Sequence, residues 1–129
     1  MAIRVVRLGS PREPNEGPRI GTVRRPPRGV RKQEYAKLDF YDVWLPQIAP
    51  SAALIAKYKK MPETEASWKA FDKLYVRELS SPDKQRLLDL LAALSRTVDF
   101  SLGCYCENER RCHRSILSRI LKQRGASLV

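Results

Sequence analysis

The sequence predicts an α/β fold built on a small, mostly parallel sheet, and three stretches carry that reading. Ile3 to Leu8 offers Ile3, Val5, Val6 and Leu8 to both faces of an extended segment, as a strand covered on both sides requires. The middle of the chain carries three runs with apolar residues three and four apart, the period of amphipathic helices. From Thr97 the pattern turns to alternation and then, past a polar stretch, returns to helical spacing. Strand, loop and helix thus follow one another as in half of a βαβ unit.

Size fits one domain over residues 1–129. A chain of 129 residues, 43% hydrophobic, buries about two-thirds of its unfolded surface and needs no disulfide lattice. No apolar run approaches the roughly 20 residues that span a bilayer. The best stretch, Leu87 to Leu94, is interrupted by Asp89. The opening residues Ile3 to Arg7 mix Arg with β-branched side chains, unlike a secretory signal. The expectation is a soluble cytoplasmic protein with no membrane partner and with reduced thiols.

The elements follow in order. After the first strand, Gly9, Pro11, Pro14, Gly17 and Pro18 give residues 9–18 the chemistry of a mobile loop. A short strand around Arg19 to Val23 leads into Arg24-Arg25-Pro26-Pro27-Arg28-Gly29. There two prolines forbid regular pairing and Gly29 permits a positive φ, so a stiff loop presents arginines as an anion clamp. Ala49-Pro50-Ser51 starts a helix with Pro in its first turn, followed by Leu54, Ile55 and Tyr58. A second helix near Glu65 to Leu79 aligns Trp68, Phe71, Tyr75 and Leu79 as a core-facing stripe. A third opens with Ser81 as N-cap and Pro82 in the first position, and Leu87, Leu88, Leu90, Leu91 and Leu94 form one broad face. Val98, Phe100, Leu102 and Cys104 then alternate as a strand. Residues 107–111 are polar loop, and Ile116, Leu117, Ile120 and Leu121 mark a last helix ending at Gly125.

Charge is concentrated at the ends. Residues 1–32 carry nine Arg or Lys against Glu13 and Glu16, residues 33–103 are balanced, and residues 104–129 carry six basic side chains against Glu107 and Glu109. The net charge is +11, and Arg, whose planar fork suits phosphate, dominates it. An anionic ligand is the natural partner; a merely solvated basic surface is the competing reading.

All three cysteines and the only histidine fall within ten residues, as Cys104, Cys106, Cys112 and His113, and Arg110, Arg111 and Arg114 surround them. They occupy the strand-loop-helix segment where ligands of open α/β sheets collect. In one reading Cys112, at the start of the last helix, is a nucleophilic thiolate favoured by the helix dipole. His113 then serves as acid, base or hydrogen-bond partner, Cys104 belongs to the same catalytic group, and Arg114 holds a substrate phosphate. Arg24, Arg28, Arg110 and Tyr105 complete the substrate-binding set, with no resident cofactor. A second reading is zinc on Cys104, Cys106, Cys112 and His113, against which the adjacency of Cys112 and His113 counts. A redox pair of Cys104 or Cys106 with Cys112 is a third. The spacing of Cys104 and Arg110 matches a phosphatase loop, but Glu107 and Glu109 would put carboxylates in the phosphate cradle.

Taken together, these segments resemble the domain of unknown function 488 family along nearly the whole chain. Arg24 and Pro27-Arg28-Gly29 are similar to its D-R-x-W-P-R-G signature, with Val23 and Pro26 standing where the family has Asp and Trp. Trp44-Leu45 and Ala49-Pro50-Ser51 resemble its W-L-x-x-L-A-P-S segment, and Trp68, Phe71 and Tyr75 its W-x-x-F-x-x-x-Y helix. Leu102-Gly103-Cys104-Tyr105-Cys106 leading to Cys112-His113-Arg114 resembles the cysteine-rich C-H-R ending of one branch. The resemblance implies a three-layer α/β/α sandwich and points toward nucleotide or nucleic-acid metabolism. The sequence thus leads to a thiol-dependent enzyme acting on a phosphate-bearing substrate. The alternative is a basic nucleic-acid-binding module with a structural cysteine or zinc cluster.

Overall fold

The computed structural model describes residues 1–106 and 111–129. Strands β1 (Ile3–Arg7), β2 (Arg19–Gly21), β3 (Val43–Trp44) and β4 (Phe100–Cys104) form one sheet in the order β1-β4-β2-β3, and every pairing is parallel. Helices α1 (Ala52–Lys59), α2 (Glu65–Glu78), α3 (Pro82–Leu94) and α4 (His113–Gln123) accompany it, with short 3₁₀ turns at Lys32–Glu34 and Pro46–Ile48. The predicted α/β class holds, down to the small parallel sheet.

Register assigns the two faces. Val5, Leu102 and Ile20 are aligned across β1, β4 and β2, and Val6, Gly103 and Gly21 are aligned on the opposite face. On the first face Ile3, Phe100 and Leu102 join one core with Leu54, Phe71, Tyr75, Leu88, Leu117 and Leu121, so that all four helices contribute. On the second, a thinner layer of loops and the first 3₁₀ turn lies over the sheet, with Tyr35, Phe40 and Tyr41 packed among Val6, Leu8 and Val23. Glycines allow that close approach. A Cβ on Gly103 would lie 2.4 Å from Leu8 Cδ2, and one on Gly21 would lie 2.4 Å from the Tyr41 ring.

Buried polar groups fasten the thin layer. Arg19, fully buried at the start of β2, pairs through its guanidinium with buried Glu16 and donates to the carbonyls of Ser10 (2.8 Å), Asp39 (2.6 Å) and Pro11 (3.1 Å). The 9–18 loop is thereby tied to the sheet and to the 32–42 segment. Arg12 reinforces the tie through Asp42 (2.8 Å) and Asp39 (3.2 Å).

The helices start where local chemistry places them, with one correction. Ser51 caps α1 by accepting from the Leu54 N–H at 3.1 Å, so Pro50 stands outside the helix rather than in its first turn. Thr64 caps α2 through the Ser67 N–H, and Pro82 opens α3 after Ser81. The α2 stripe packs as predicted: Phe71, Tyr75 and Leu79 are buried and Trp68 lies against them. The α3 stripe is narrower than its leucines suggest, since Leu90 and Leu94 are exposed. β4 starts at Phe100 rather than Thr97 because the Thr97 and Val98 amides bond back to the Leu94 carbonyl and close α3. Gly125, at φ 83°, follows the end of α4.

Candidate functional site

Parallel strands bring their carboxyl ends to one edge of the sheet. Arg7 stands opposite Cys104, and Gly21 opposite Gly103, so Leu8, Thr22 and Tyr105 emerge side by side. The chain returns to this edge at Cys112, the extended N-cap residue of α4 (φ −123°, ψ 149°). The start of α4 therefore stands at the carboxyl edge of the sheet, the place where open α/β sheets bind ligands.

Here the three thiols meet. The sulfurs of Cys104, Cys106 and Cys112 all lie within 4.8 Å of one another, and Cys104 Sγ is 2.8 Å from Cys112 Sγ. The Cys106 backbone N–H donates to Cys104 Sγ at 3.3 Å. Their environments differ: Cys104 and Cys112 are each 2% exposed, while Cys106 is open to solvent. Hydrogen bonds from Cys104 hold the Cys106 thiol far below its usual range, Cys112 contributes in the same direction, and the Arg114 charge adds to it. Cys112 is also lowered, first by Cys104 and further by His113, against the opposing effects of Cys106 and of burial. Cys104 is pushed well up by its hydrogen bonds to the other two sulfurs and by burial, so it is the thiol that keeps its proton.

His113 is held by the end of β2. Its Nε2 lies 2.6 Å from the Thr22 carbonyl oxygen and 3.1 Å from Thr22 Oγ1, whose hydroxyl donates to the Gly103 carbonyl at 3.0 Å. A carbonyl only accepts, so Nε2 carries a proton. Nδ1 lies 3.8 Å from Cys112 Sγ, and the Tyr75 ring meets the imidazole edge-on at 5.8 Å between centroids. Neighbours within a helix diverge by about 100° per residue. Cys112 and His113 nevertheless meet because Cys112 is extended.

The arginines divide their roles. Arg114, 4% exposed, donates from Nη2 to the Cys106 carbonyl at 2.6 Å and so holds the backbone of the residue with the open thiol. Arg24 donates to the carbonyls of Pro50 (3.1 Å) and Ala49 (2.9 Å), turning its fork toward the start of α1. Arg28 is exposed. The arginine loop does reach the site through its backbone, since the Tyr105 hydroxyl donates to the Arg25 carbonyl at 3.0 Å. Tyr105 in turn accepts from Arg7 Nε at its carbonyl, at 3.3 Å. Val23, which stands at the family's Asp position, is buried, and its carbonyl accepts from Trp44 Nε1 at 2.7 Å. Arg110, with Glu107 and Glu109, lies outside the described residues.

Two members of this site carry little signal in the sequence. Thr22 could have been found only from its place just past a predicted strand. Cys106 was visible in the cluster, but its exposure was not.

Fold and site together define a small parallel α/β protein with a three-thiol cluster at the carboxyl edge of its sheet. The family model DUF488-N3a, described as the active DUF488-N3 subclade, matches residues 3–125, and the chain belongs to that family. No curated protein and no solved structure matches the chain.

Proposed function

We propose that the protein is a thiol-dependent enzyme acting on a phosphate-bearing substrate, a nucleotide or nucleic acid, and that Cys106 is the sulfur that meets it. One observation carries the reading: of three sulfurs in a single cluster, Cys106 alone is open to solvent, at the strand edge where α/β sheets bind ligands. Its sulfur donates an electron pair to an electrophilic centre of the substrate, the leaving group departs with its own bonding pair, and water later displaces the sulfur. Cys112, the nucleophile favoured from sequence, stands behind it with His113 Nδ1 at its side. Support for an anionic substrate comes from exposed Arg25, Arg28 and Arg31 on the loop fastened to Tyr105. Arg24 positions that loop through the Ala49 and Pro50 carbonyls. The chemistry needs free thiols, so a reducing compartment such as the cytoplasm is part of the proposal.

The test is turnover of a panel of nucleoside phosphates and oligonucleotides by the wild-type protein and by Cys106→Ser. Turnover of at least one substrate, reduced about a thousandfold or more by the substitution, is expected for a covalent nucleophile. A silent wild type, or a Cys106→Ser variant as active as wild type, contradicts the proposal. The exposed arginines favour one second reading, a basic module that binds nucleic acid without catalysis. That reading calls for affinity falling steeply with salt and unaffected by Cys106→Ser.

A further inference from the structure

We propose that Cys104, Cys106 and Cys112 form a three-thiolate site for a single zinc-class ion, with the fourth coordination position open to solvent beside Cys106. The inference goes beyond the enzymatic reading and stands on the arrangement of the sulfurs alone. Zinc–sulfur bonds of about 2.3 Å in tetrahedral geometry put ligand sulfurs about 3.8 Å apart. The sulfurs here bracket that figure, with one pair at 2.8 Å and all three within 4.8 Å. An ion at their centre therefore requires small side-chain adjustments rather than a refolded backbone.

The surroundings suit such an ion. Two donors are buried and one is exposed, which seals the base of the tripod and, among the described residues, leaves the fourth position open, as in zinc sites that retain an exchangeable ligand. The Cys106 N–H already points at Cys104 Sγ, a contact that orients and steadies a coordinating thiolate. Cys112 sits at the positive end of α4, where negative charge on sulfur is favoured. Arg114 lies beside Cys106 and offsets part of the net negative charge of three thiolates around a dication. A donor set made wholly of sulfur selects zinc-class or softer ions over magnesium, calcium and manganese. Adjacency of Cys112 and His113, which counted against zinc in the sequence, does not bear on this site, because the three sulfurs suffice without the imidazole.

Binding forms three metal–sulfur bonds and releases the proton of each thiol that still carries one, up to three per ion. The ion occupies the electron pair that Cys106 would offer a substrate, so metal loading and thiol chemistry exclude each other at this sulfur.

The experiment uses the reduced, metal-free full chain, titrated with cobalt(II) and then zinc(II) without oxygen. A thiolate-to-cobalt charge-transfer band that saturates at one equivalent and collapses on adding zinc is expected. Cys104→Ser, Cys106→Ser and Cys112→Ser should each weaken zinc binding at least tenfold in competition with a chromophoric chelator. Cys106→Ser matters most, since an exposed residue can change without disturbing the fold. No charge-transfer band, or unchanged zinc affinity in Cys106→Ser, overturns the inference. The readout is spectroscopic, so its failure is distinct from a failure of the turnover test above.

Discussion

Replacing Arg19 with Met probes the densest set of polar interactions in the second layer. Arg19 is fully buried and Glu16 is 2% exposed. The guanidinium pairs with the Glu16 carboxylate through Nε and Nη2 and serves the carbonyls of Ser10, Asp39 and Pro11. Met keeps much of the aliphatic volume and removes every side-chain donor, leaving a buried carboxylate facing hydrocarbon. Removing one partner of a buried pair costs about 3–5 kcal/mol. For a chain of 129 residues the unfolding entropy near the midpoint is roughly 0.27 kcal/mol/K, so Tm should fall by roughly 11–18 °C. Glu16→Leu combined with Arg19→Met leaves no unpaired charge and should recover part of the loss, a coupling that a double-mutant cycle reads directly. Acid titration supplies a second check. Burial alone would raise the Glu16 carboxyl, but the Arg19 hydrogen bond and charge hold it below its ordinary value of 4.5. Its contribution in the wild type is thus present above the unfolded value and is lost as pH falls through the folded one. Without Arg19 burial wins, the carboxyl shifts upward, and acidification relieves the variant's defect instead. Thermal and urea unfolding followed by circular dichroism from neutral to acidic pH measures both effects. A loss under about 1 kcal/mol, or identical pH profiles for the two proteins, would refute the argument.

Other positions give shorter tests. Gly103→Ala pushes a methyl into Leu8 and Val6, and overpacking of about 1–3 kcal/mol should appear as a lowered urea midpoint with an unchanged slope. Tyr75→Phe removes the donor to the buried Ile48 carbonyl and should cost about 1–3 kcal/mol; an effect within error would show that the carbonyl finds another partner. Nitrogen NMR of the native protein should find a proton on His113 Nε2, and a ring protonated at Nδ1 alone would contradict the contact with the Thr22 carbonyl.

Legibility in the sequence followed the range of the interactions. Phe100 to Gln123 could be read because periodicity is local: alternation gave β4, and the return to helical spacing gave α4. The stripe of Trp68, Phe71 and Tyr75 was readable as core for the same reason. β3 was not, because two residues have no period. Leu90 and Leu94 looked like core because a leucine-rich helix does not reveal how wide its buried face is. Glu16 read as a loop charge and Arg19 as the first residue of a short strand, although the covering layer makes them the buried pin of the second face. At the site, the clustering of the cysteines was visible and their ranking was not. Cys112 holds the favoured position at a helix start, yet its extended backbone tucks it against Cys104 and His113 and leaves the surface to Cys106.

Site-resolved alkylation addresses that ranking most directly. Reduced, metal-free native protein is treated briefly with iodoacetamide, quenched, and the label on each cysteine is quantified by peptide mass spectrometry. Cys106 should be modified first, with Cys104 and Cys112 protected until the fold opens. Labelling of Cys112 as fast as Cys106, or protection of all three alike, would contradict the account.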